Sequence, residues 1–172
     1  TDRDILASLW GMYSAGTDTT GNSFASFFVM VADDPELRSA LRDRPEMITT
    51  AVEEALRLDP AFPIVGHETL VPVRFRDTLV PAGTKVLGWI SSANRDPRVF
   101  ADPGVMRLGR KPNPHLAFGN GLHLCLGAPL ARIELREMMR VLLARDERYE
   151  LHDYERKAGI VHRFTRLRFS FR

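Results

Sequence analysis

A short glycine-rich loop with a single cysteine leads into a helix, and this combination restricts the fold more than any other stretch of the chain. The segment FGNGLHLCLGAPLAR covers residues 118–132, and Cys125 is the only cysteine among 172 residues. Ala128-Pro129 predicts a helix start, because proline is tolerated in the first turn, where its missing N–H is not needed. Cys125 is therefore expected just before a helix N-terminus, where backbone N–H groups and the helix dipole favour a thiolate.

The residue types of this loop leave two interpretations open. Glycines allow the backbone to fold tightly beneath a flat ligand, where side chains would collide. These glycines are Gly119, Gly121 and Gly127. A lone cysteine among leucines is, however, more often an inert buried residue. A zinc site has little support, because the chain has no CxxC pair and His115, His123 and Cys125 are not a usual ligand set.

Composition indicates a soluble globular domain and excludes several classes of partner. Hydrophobic residues make up 44% and charged residues 27% of the chain, and the net charge is only +2. Nucleic acid is therefore not expected as a partner. No apolar run is long enough for a bilayer, so no membrane partner is expected. One cysteine allows no internal disulfide, which fits a cytoplasmic location. The chain begins TDRD without Met, which favours a fragment or a processed product.

Hydrophobic periodicity predicts mostly helices, with strands in two regions. The predicted elements are a helix from a Thr1–Asp4 capping box to about Val31, helices from Pro35 to about Arg42 and from Pro45 to before Asp59, strands VPVRF and KVLGWI joined by a turn at 81–83, an irregular stretch at 93–120, a helix from Ala128 to about Ala144, and a strand-like tail at 159–172.

The cysteine loop resembles the haem-binding loop of the cytochrome P450 family, in the form common among bacterial members. The matching residues are Phe118, Gly121, His123, Cys125 and Gly127, and the following LGAPLARIEL is also similar. The resemblance implies that Cys125 binds the iron of haem b, where a thiolate pushes electron density onto the metal and favours cleavage of the O–O bond. It also implies that Phe118 packs near the sulfur and that His123 binds a haem propionate. His67 stands where many bacterial members have a propionate-binding arginine.

A second match lies in the helix that reads VEEALRLDP. Glu54 and Arg57 are spaced i, i+3, and from the residues alone an exposed ion pair is the simplest interpretation. In the family, a Glu-x-x-Arg pair is buried and fixes the irregular segment before the cysteine loop, here including residues 93–103. The family often adds an arginine or histidine from a later motif. Val105 occupies that place here, and Arg107 is the candidate substitute.

A third match, AGTDTT at 15–20, lies in the long helix and resembles the family's oxygen-binding kink. Gly16 would leave room for dioxygen and substrate, and Asp18 and Thr19 match an acid–alcohol pair that delivers protons during oxygen activation. From the residues alone, such side chains could simply bond to the preceding turn. The pair favours dioxygen as the oxidant, with electrons from a protein partner, over direct use of peroxide.

The resemblance also assigns a substrate pocket, whose mostly apolar residues imply a small lipophilic substrate. The pocket residues are Trp10, Tyr13, Ser14, Ala15, Phe62, Ile64, Val65, Phe164 and Thr165. Each fits ordinary core packing equally well. Arg132, Arg136 and Arg140, at i, i+4 and i+8, would form a basic stripe that suits an acidic ferredoxin-type electron donor, or else a solvated helix face.

Together these matches imply a mainly α fold with small antiparallel β-sheets, the C-terminal portion of a single cytochrome P450 domain over residues 1–172. The missing N-terminal portion is itself a candidate partner. The implied function is a haem-thiolate monooxygenase that hydroxylates or epoxidises its substrate, of the kind found in bacterial secondary metabolism. Two alternatives stay open: a non-catalytic module that recruits partners, and a truncated remnant.

Overall fold

The first two helices each begin at a residue whose side chain caps the helix, Thr1 for the first and Asp34 for the second. The computed structural model describes residues 1–145 and 149–171. Helix α1 (Asp2–Asp33) begins with the predicted capping box, in which Thr1 and Asp4 bond reciprocally. Asp34 ends α1 and also caps α2 (Pro35–Asp43), since its Oδ1 accepts the Leu37 N–H at 2.9 Å. The chain therefore reverses direction at one extended residue.

The remaining elements follow the predicted order. They are a 3-10 turn at Pro45–Met47, α3 (Ile48–Leu58), β1 (Ile64–Glu68), β2 (Val73–Phe75), β3 (Thr78–Val80), β4 (Lys85–Trp89), the short α4 (Ile90–Ala93), a 3-10 turn at Gly121–His123, α5 (Ala128–Ala144), β5 (Tyr149–Lys157) and β6 (Arg163–Phe171). Arg172, the last residue of the predicted strand-like tail, lies outside the described residues. The predicted fold class, mainly α with small antiparallel sheets, is confirmed.

Three helices supply the core. The C-terminal half of α1 packs against α3 and α5, and the buried apolar side chains include Phe27, Phe28, Val31, Ala51, Val52, Leu135, Met139 and Leu143. The N-terminal half of α1 is exposed throughout, and its Trp10 is 71% accessible. This half carries an apolar surface that the described residues leave uncovered, made of Ile5, Leu6, Leu9, Trp10, Met12 and Tyr13.

The structure has the turn predicted at 81–83 between VPVRF and KVLGWI, but it adds a strand, β3, that the sequence did not predict. β2 pairs with β3, while β4 pairs with β1. A two-residue turn at Arg76-Asp77 separates β2 from β3, with Arg76 at φ 51°. Neither residue is glycine or asparagine, the usual indicators of such a turn, so the hairpin left no strong sequence signal.

The stretch between α4 and α5 is irregular, as predicted, and makes no sheet. Within the described ranges, no helix combines the length and apolarity needed to cross a membrane. The described residues thus form a helical core, three two-stranded sheets, and one long irregular segment whose backbone must be held by other means.

The packing of α5 gives a direct stability test. Met139 is fully buried in the helical core, whereas its neighbour Met138 is 41% exposed. We expect Met139→Ala to lower the free energy of unfolding by about 2–5 kcal/mol, because it leaves a cavity. Met138→Ala should lower it by less than about 1 kcal/mol. Urea unfolding of both variants checks this, and equal losses would contradict the core placement of α5.

Candidate functional site

A buried ion network joins α3 to the irregular segment. Glu54 and Arg57 are both fully buried, and the Arg57 guanidinium binds the carboxylate at two points, Nε–Oε1 at 2.6 Å and Nη2–Oε2 at 2.9 Å. Arg57 also donates to the carbonyls of Asn94, Pro103 and Val105 at 2.6–3.1 Å. The guanidinium lies over the Phe100 ring, 5.1 Å from its centroid. The pair is therefore buried and holds the irregular segment against α3, and it is not a surface ion pair.

The third member of the network is Arg110. Its Nε donates to Glu54 Oε1 at 3.0 Å, and its side chain also binds the carbonyls of Ala101, Asp102 and Val105. The expectation that Arg107 would supply the third side chain is wrong, although the Arg107 backbone N–H does donate to Glu54 Oε2 at 2.9 Å. The chain turns between the two residues, so the arginine three positions later reaches the carboxylate.

The network holds two cations and one anion in a buried place. Burial alone would raise the pKa of Glu54, but hydrogen bonds from Arg57, the Arg107 backbone and Arg110 outweigh it and lower that pKa. The excess positive charge faces the backbone carbonyls of the irregular segment, which lack helix or sheet partners. Each guanidinium thus satisfies acceptors that regular structure would otherwise satisfy.

The cysteine loop has the geometry that its glycines predict. Gly119 and Gly121 have φ values of 73° and 71°, in the region that favours glycine. The Cys125 N–H donates to the Phe118 carbonyl at 2.9 Å, and the Ala128 N–H donates to the Cys125 carbonyl at 3.2 Å. Cys125 itself is exposed and lies three residues before the first residue of α5, as the sequence predicted. The interpretation of Cys125 as an inert core residue is therefore wrong.

The surroundings of Cys125 suit a flat, largely apolar ligand bound at one sulfur. Leu122, Leu124 and Leu126 are all exposed beside it, and Leu122 and Leu126 are almost fully so. Across the part of the chain that the structure describes, no three His, Cys, Asp or Glu residues are grouped to hold a metal ion. One thiolate donor among leucines fits a haem, whose macrocycle supplies the other iron ligands.

The histidines expected at the haem propionates are both exposed. His123 lies in the 3-10 turn ahead of Cys125, and His67 lies on β1 opposite Val86. Gly127 is close to the sulfur, since a Cβ there would stand 3.9 Å from Cys125 Sγ. Their predicted roles toward the cofactor stay predictions.

In α1, Asp18 and Thr19 lie as the sequence predicts, but each has a partner. The Thr19 hydroxyl donates to the Ala15 carbonyl at 2.6 Å. The Asp18 carboxylate pairs with Arg163 at the start of β6. One turn later, Asn22 Oδ1 accepts the Phe164 N–H at 2.7 Å, so the hairpin is fastened to α1 at two points.

Helix α1 is continuous from Asp2 to Asp33, and the oxygen-binding kink expected at 15–20 stays a prediction. A Cβ placed on Gly16 would meet no atom of the described residues within 4 Å. Helix packing among the described residues therefore does not account for this glycine, and its predicted role, room for a ligand, stays a prediction.

The predicted pocket residues divide into three groups. Those of α1 are exposed together, with the Trp10 and Tyr13 ring centroids 6.2 Å apart and Ser14 and Ala15 beside them. Ile64 and Val65 are half-buried on β1, and Phe62 is 38% exposed. Phe164, in contrast, packs against the core and lies over Tyr154, at 5.7 Å between ring centroids, while Thr165 is exposed.

The basic stripe on α5 is less positive than the sequence suggests. Arg132 pairs with Glu53, and Arg140 pairs with Glu137. Arg136 donates to the Arg132 carbonyl at 3.1 Å. Two of the three charges are thus compensated, and the stripe as a redox-partner face stays a prediction.

Sequence reasoning missed several long-range partners. Arg110 and Arg163 are the clearest, since nothing local in the sequence distinguishes them from the other arginines. Asp59 is another: it accepts hydrogen bonds from Ser26 and from Arg156 Nη2 at 2.6 Å, and His162 Nδ1 lies 3.0 Å from its Oδ1. This cluster fastens the end of α3 to the β5–β6 hairpin.

Comparison with known proteins agrees with this fold and site. A family model described as cytochrome P450 matches residues 1–157, and the chain belongs to that family, whose members carry haem b on a cysteine thiolate. Nocardicin C N-oxygenase of Nocardia uniformis subsp. tsuyamanensis is 43% identical over 150 residues, covering 84% of this chain and 37% of that protein. Mycinamicin IV hydroxylase/epoxidase of Micromonospora griseorubida is 42% identical over 149 residues, with the same coverage.

Solved structures give the same result for the fold. CYP109E1 from Bacillus megaterium, crystallised with testosterone, superposes with a TM-score of 0.93 at 30% identity, covering 98% of this chain and 48% of that one. CYP109B1 from Bacillus subtilis gives a TM-score of 0.88 at 32% identity and covers 92% of this chain. The chain thus spans between a third and a half of the length of these relatives.

The buried network predicts that Glu54 stabilises the fold more than Glu137 does, although each glutamate pairs with an arginine three residues later. We expect Glu54→Gln to lower the free energy of unfolding by about 3–5 kcal/mol, because it leaves two buried guanidiniums without their anion. Glu137→Gln breaks a pair with the same i, i+3 spacing, but both partners are more than half exposed, so about 0–1 kcal/mol is expected. Urea unfolding measures both losses. Similar values would mean that the Glu54 network adds no more than a surface pair.

Proposed function

We propose that this chain is the haem-binding part of a cytochrome P450 monooxygenase, with Cys125 as the iron ligand. The observation that carries the proposal is the exposed Cys125 thiol, held ahead of α5 by the hydrogen bond between its own N–H and the Phe118 carbonyl. Iron binding at this position requires the sulfur as a thiolate. The names of the relatives, an N-oxygenase and a hydroxylase/epoxidase, support the same class of reaction.

The chemistry divides between cofactor and protein. Haem, when bound, supplies activation of dioxygen, and the protein supplies binding, orientation and proton delivery. Cys125 would hold the iron through Sγ and donate electron density to it. Gly119 and Gly121, with their positive φ values and no side chains, would let the loop backbone approach the haem ring closely, and His123 and His67 would bind propionates through ring N–H groups.

Asp18 and Thr19 are proposed to move protons toward bound oxygen. The Thr19 hydroxyl donates its hydrogen to the Ala15 carbonyl, which leaves its oxygen lone pairs free to accept a hydrogen bond. Asp18, paired with Arg163, is one residue away and more than a third exposed. A carboxylate beside a hydroxyl can pass protons from solvent to a reacting oxygen.

The substrate is proposed to be a small lipophilic molecule that meets the apolar surface of α1 around Trp10 and Tyr13. Hydroxylation or epoxidation is the expected outcome. A ferredoxin-type protein is the proposed electron donor, and an N-terminal portion, as in the longer relatives, is proposed to cover α1. Cytoplasmic location is part of the same proposal, from the single free cysteine.

Cys125→Ser tests the assignment of the iron ligand. We expect the reduced, CO-treated wild-type protein to show the strongly red-shifted Soret band of a thiolate-bound haem, and the variant to lose it, because serine is a far weaker electron donor. Absorption spectroscopy of the full-length protein measures this. A wild-type protein that takes up no haem would instead favour the non-catalytic module or the remnant, and a variant with an unchanged band would refute Cys125 as ligand.

Thr19→Ala tests proton delivery. We expect the variant to consume reduced nicotinamide while forming less product and releasing peroxide, because a proton that is needed to cleave the O–O bond arrives late. Thr17→Ala is the matched control, since the Thr17 hydroxyl makes the same kind of bond, to the Tyr13 carbonyl at 2.8 Å. The measurement is the ratio of product to reduced nicotinamide consumed. If both variants keep the wild-type ratio, Thr19 has no part in proton delivery.

A further inference from the structure

A second carboxylate on α3, next to Glu54, makes a separate network on the other side of the irregular segment. Glu53 binds Arg132 of α5 at two points, Nε–Oε1 at 2.8 Å and Nη2–Oε2 at 3.0 Å. Glu53 Oε2 also meets His115 Nε2 at 2.9 Å. Glu53 therefore links α3, α5 and the segment just before the cysteine loop.

The tautomer of His115 follows from its two contacts. Its Nδ1 accepts the backbone N–H of Ala117 at 3.2 Å, so this nitrogen carries no hydrogen. The proton is then on Nε2, which donates to Glu53. The His115 side chain is only 3% exposed, against 24% for Glu53. Because both ring nitrogens are hydrogen-bonded, the buried, neutral imidazole connects Glu53 to the backbone N–H of Ala117 and has little freedom to rotate.

Two members of this network, Arg132 and His115, contact the ring of Phe118. The Arg132 guanidinium lies over its ring, with Cζ 4.5 Å from the centroid, and the His115 ring centroid is 6.2 Å away on a tilted plane. The Phe118 carbonyl in turn accepts the N–H of Cys125. One residue thus connects the network to the backbone of the cysteine.

We propose that Glu53, His115 and Arg132 are positioning residues that hold Phe118, and through it the backbone of Cys125, in the geometry for binding iron. The proposal rests on the proposed function, because it assigns these residues to the same cysteine site. Glu53 is the centre, since both other members reach Phe118 only while the carboxylate fixes them. Arg132 then belongs to the cysteine site rather than to a docking face for an electron donor.

The charges favour this assignment over a surface role. Burial would raise the pKa of Glu53, but hydrogen bonds from His115 and Arg132, together with the charge of Arg132, hold it well below its usual range. A bidentate guanidinium–carboxylate pair is stronger and more directional than a single contact. The planar guanidinium can bind Glu53 at its edge and stack on Phe118 with its face at the same time, which a lysine cannot do.

The experiment compares Glu53→Gln, His115→Phe and His115→Gln in the full-length, haem-loaded protein. Asp153→Asn is the control, because it removes the charge of another arginine-bound carboxylate, on the β5–β6 hairpin. The first readout is the fraction of the reduced CO complex that keeps the thiolate-type Soret band during mild urea treatment. The second is hydrogen exchange of the amides at 118–127, compared with those of α1.

We expect Glu53→Gln and His115→Phe to convert from the thiolate-type band roughly tenfold faster than wild type, as loss of one charge-assisted bond of about 1.4 kcal/mol would give. Exchange should rise at 118–127 and stay unchanged at the buried end of α1. His115→Gln, which can still donate to Glu53, should lie between His115→Phe and wild type.

The outcomes separate this inference from the proposed function. If the wild-type protein itself shows no thiolate-type band, the proposed function fails. If wild type shows the band, and Glu53→Gln and His115→Phe convert no faster than Asp153→Asn, the positioning role is refuted. The role is also refuted if exchange rises equally in the loop and in α1, because the effect is then a general loss of stability.

Discussion

The contact between Glu54 and its two arginines is the interaction on which the candidate site depends. Residues 94–120 form no helix longer than one turn and join no sheet. Their carbonyls still need donors when they are buried, and Arg57 and Arg110 supply them from inside the molecule. A hydrophobic replacement could fill the same volume, but it could not satisfy those carbonyls. The buried charges of this network therefore serve to fix the shape of the irregular segment rather than to form a strong ion pair.

Two consecutive carboxylates of α3, those of Glu53 and Glu54, bind the irregular segment. Neighbouring residues on a helix point about 100° apart, so Glu53 and Glu54 reach different parts of the same segment. Glu54 binds Arg107, Arg110 and Asn113 of the irregular segment, and Glu53 binds His115 and Arg132 of α5. The two side chains therefore connect one helix to the segment that leads to Cys125 and to the helix that follows it.

Features encoded within a few residues could be predicted from the sequence, and features made by distant residues could not. The α5 bounds, 128–144, follow from Pro129 and the apolar period, and the position of Cys125 follows with them. The β2–β3 hairpin was missed because its turn, Arg76-Asp77, lacks glycine. Arg110 was missed because the path of an irregular segment cannot be read from spacing. Arg163 lies 145 residues from Asp18, and no local pattern connects them.

The sequence distance spanned by the Glu54 network has a consequence for the order of events in folding. Its contacts between α3 and the irregular segment join residues 37 to 59 positions apart, so each of these closes a large loop and forms only after the intervening chain is present. During synthesis, α3 leaves the ribosome with its carboxylates and Arg57 long before Arg110 exists. Cys125 can then take up its final position only in a late, long-range step, and a ligand of that cysteine is captured by the nearly finished molecule rather than by a nascent loop.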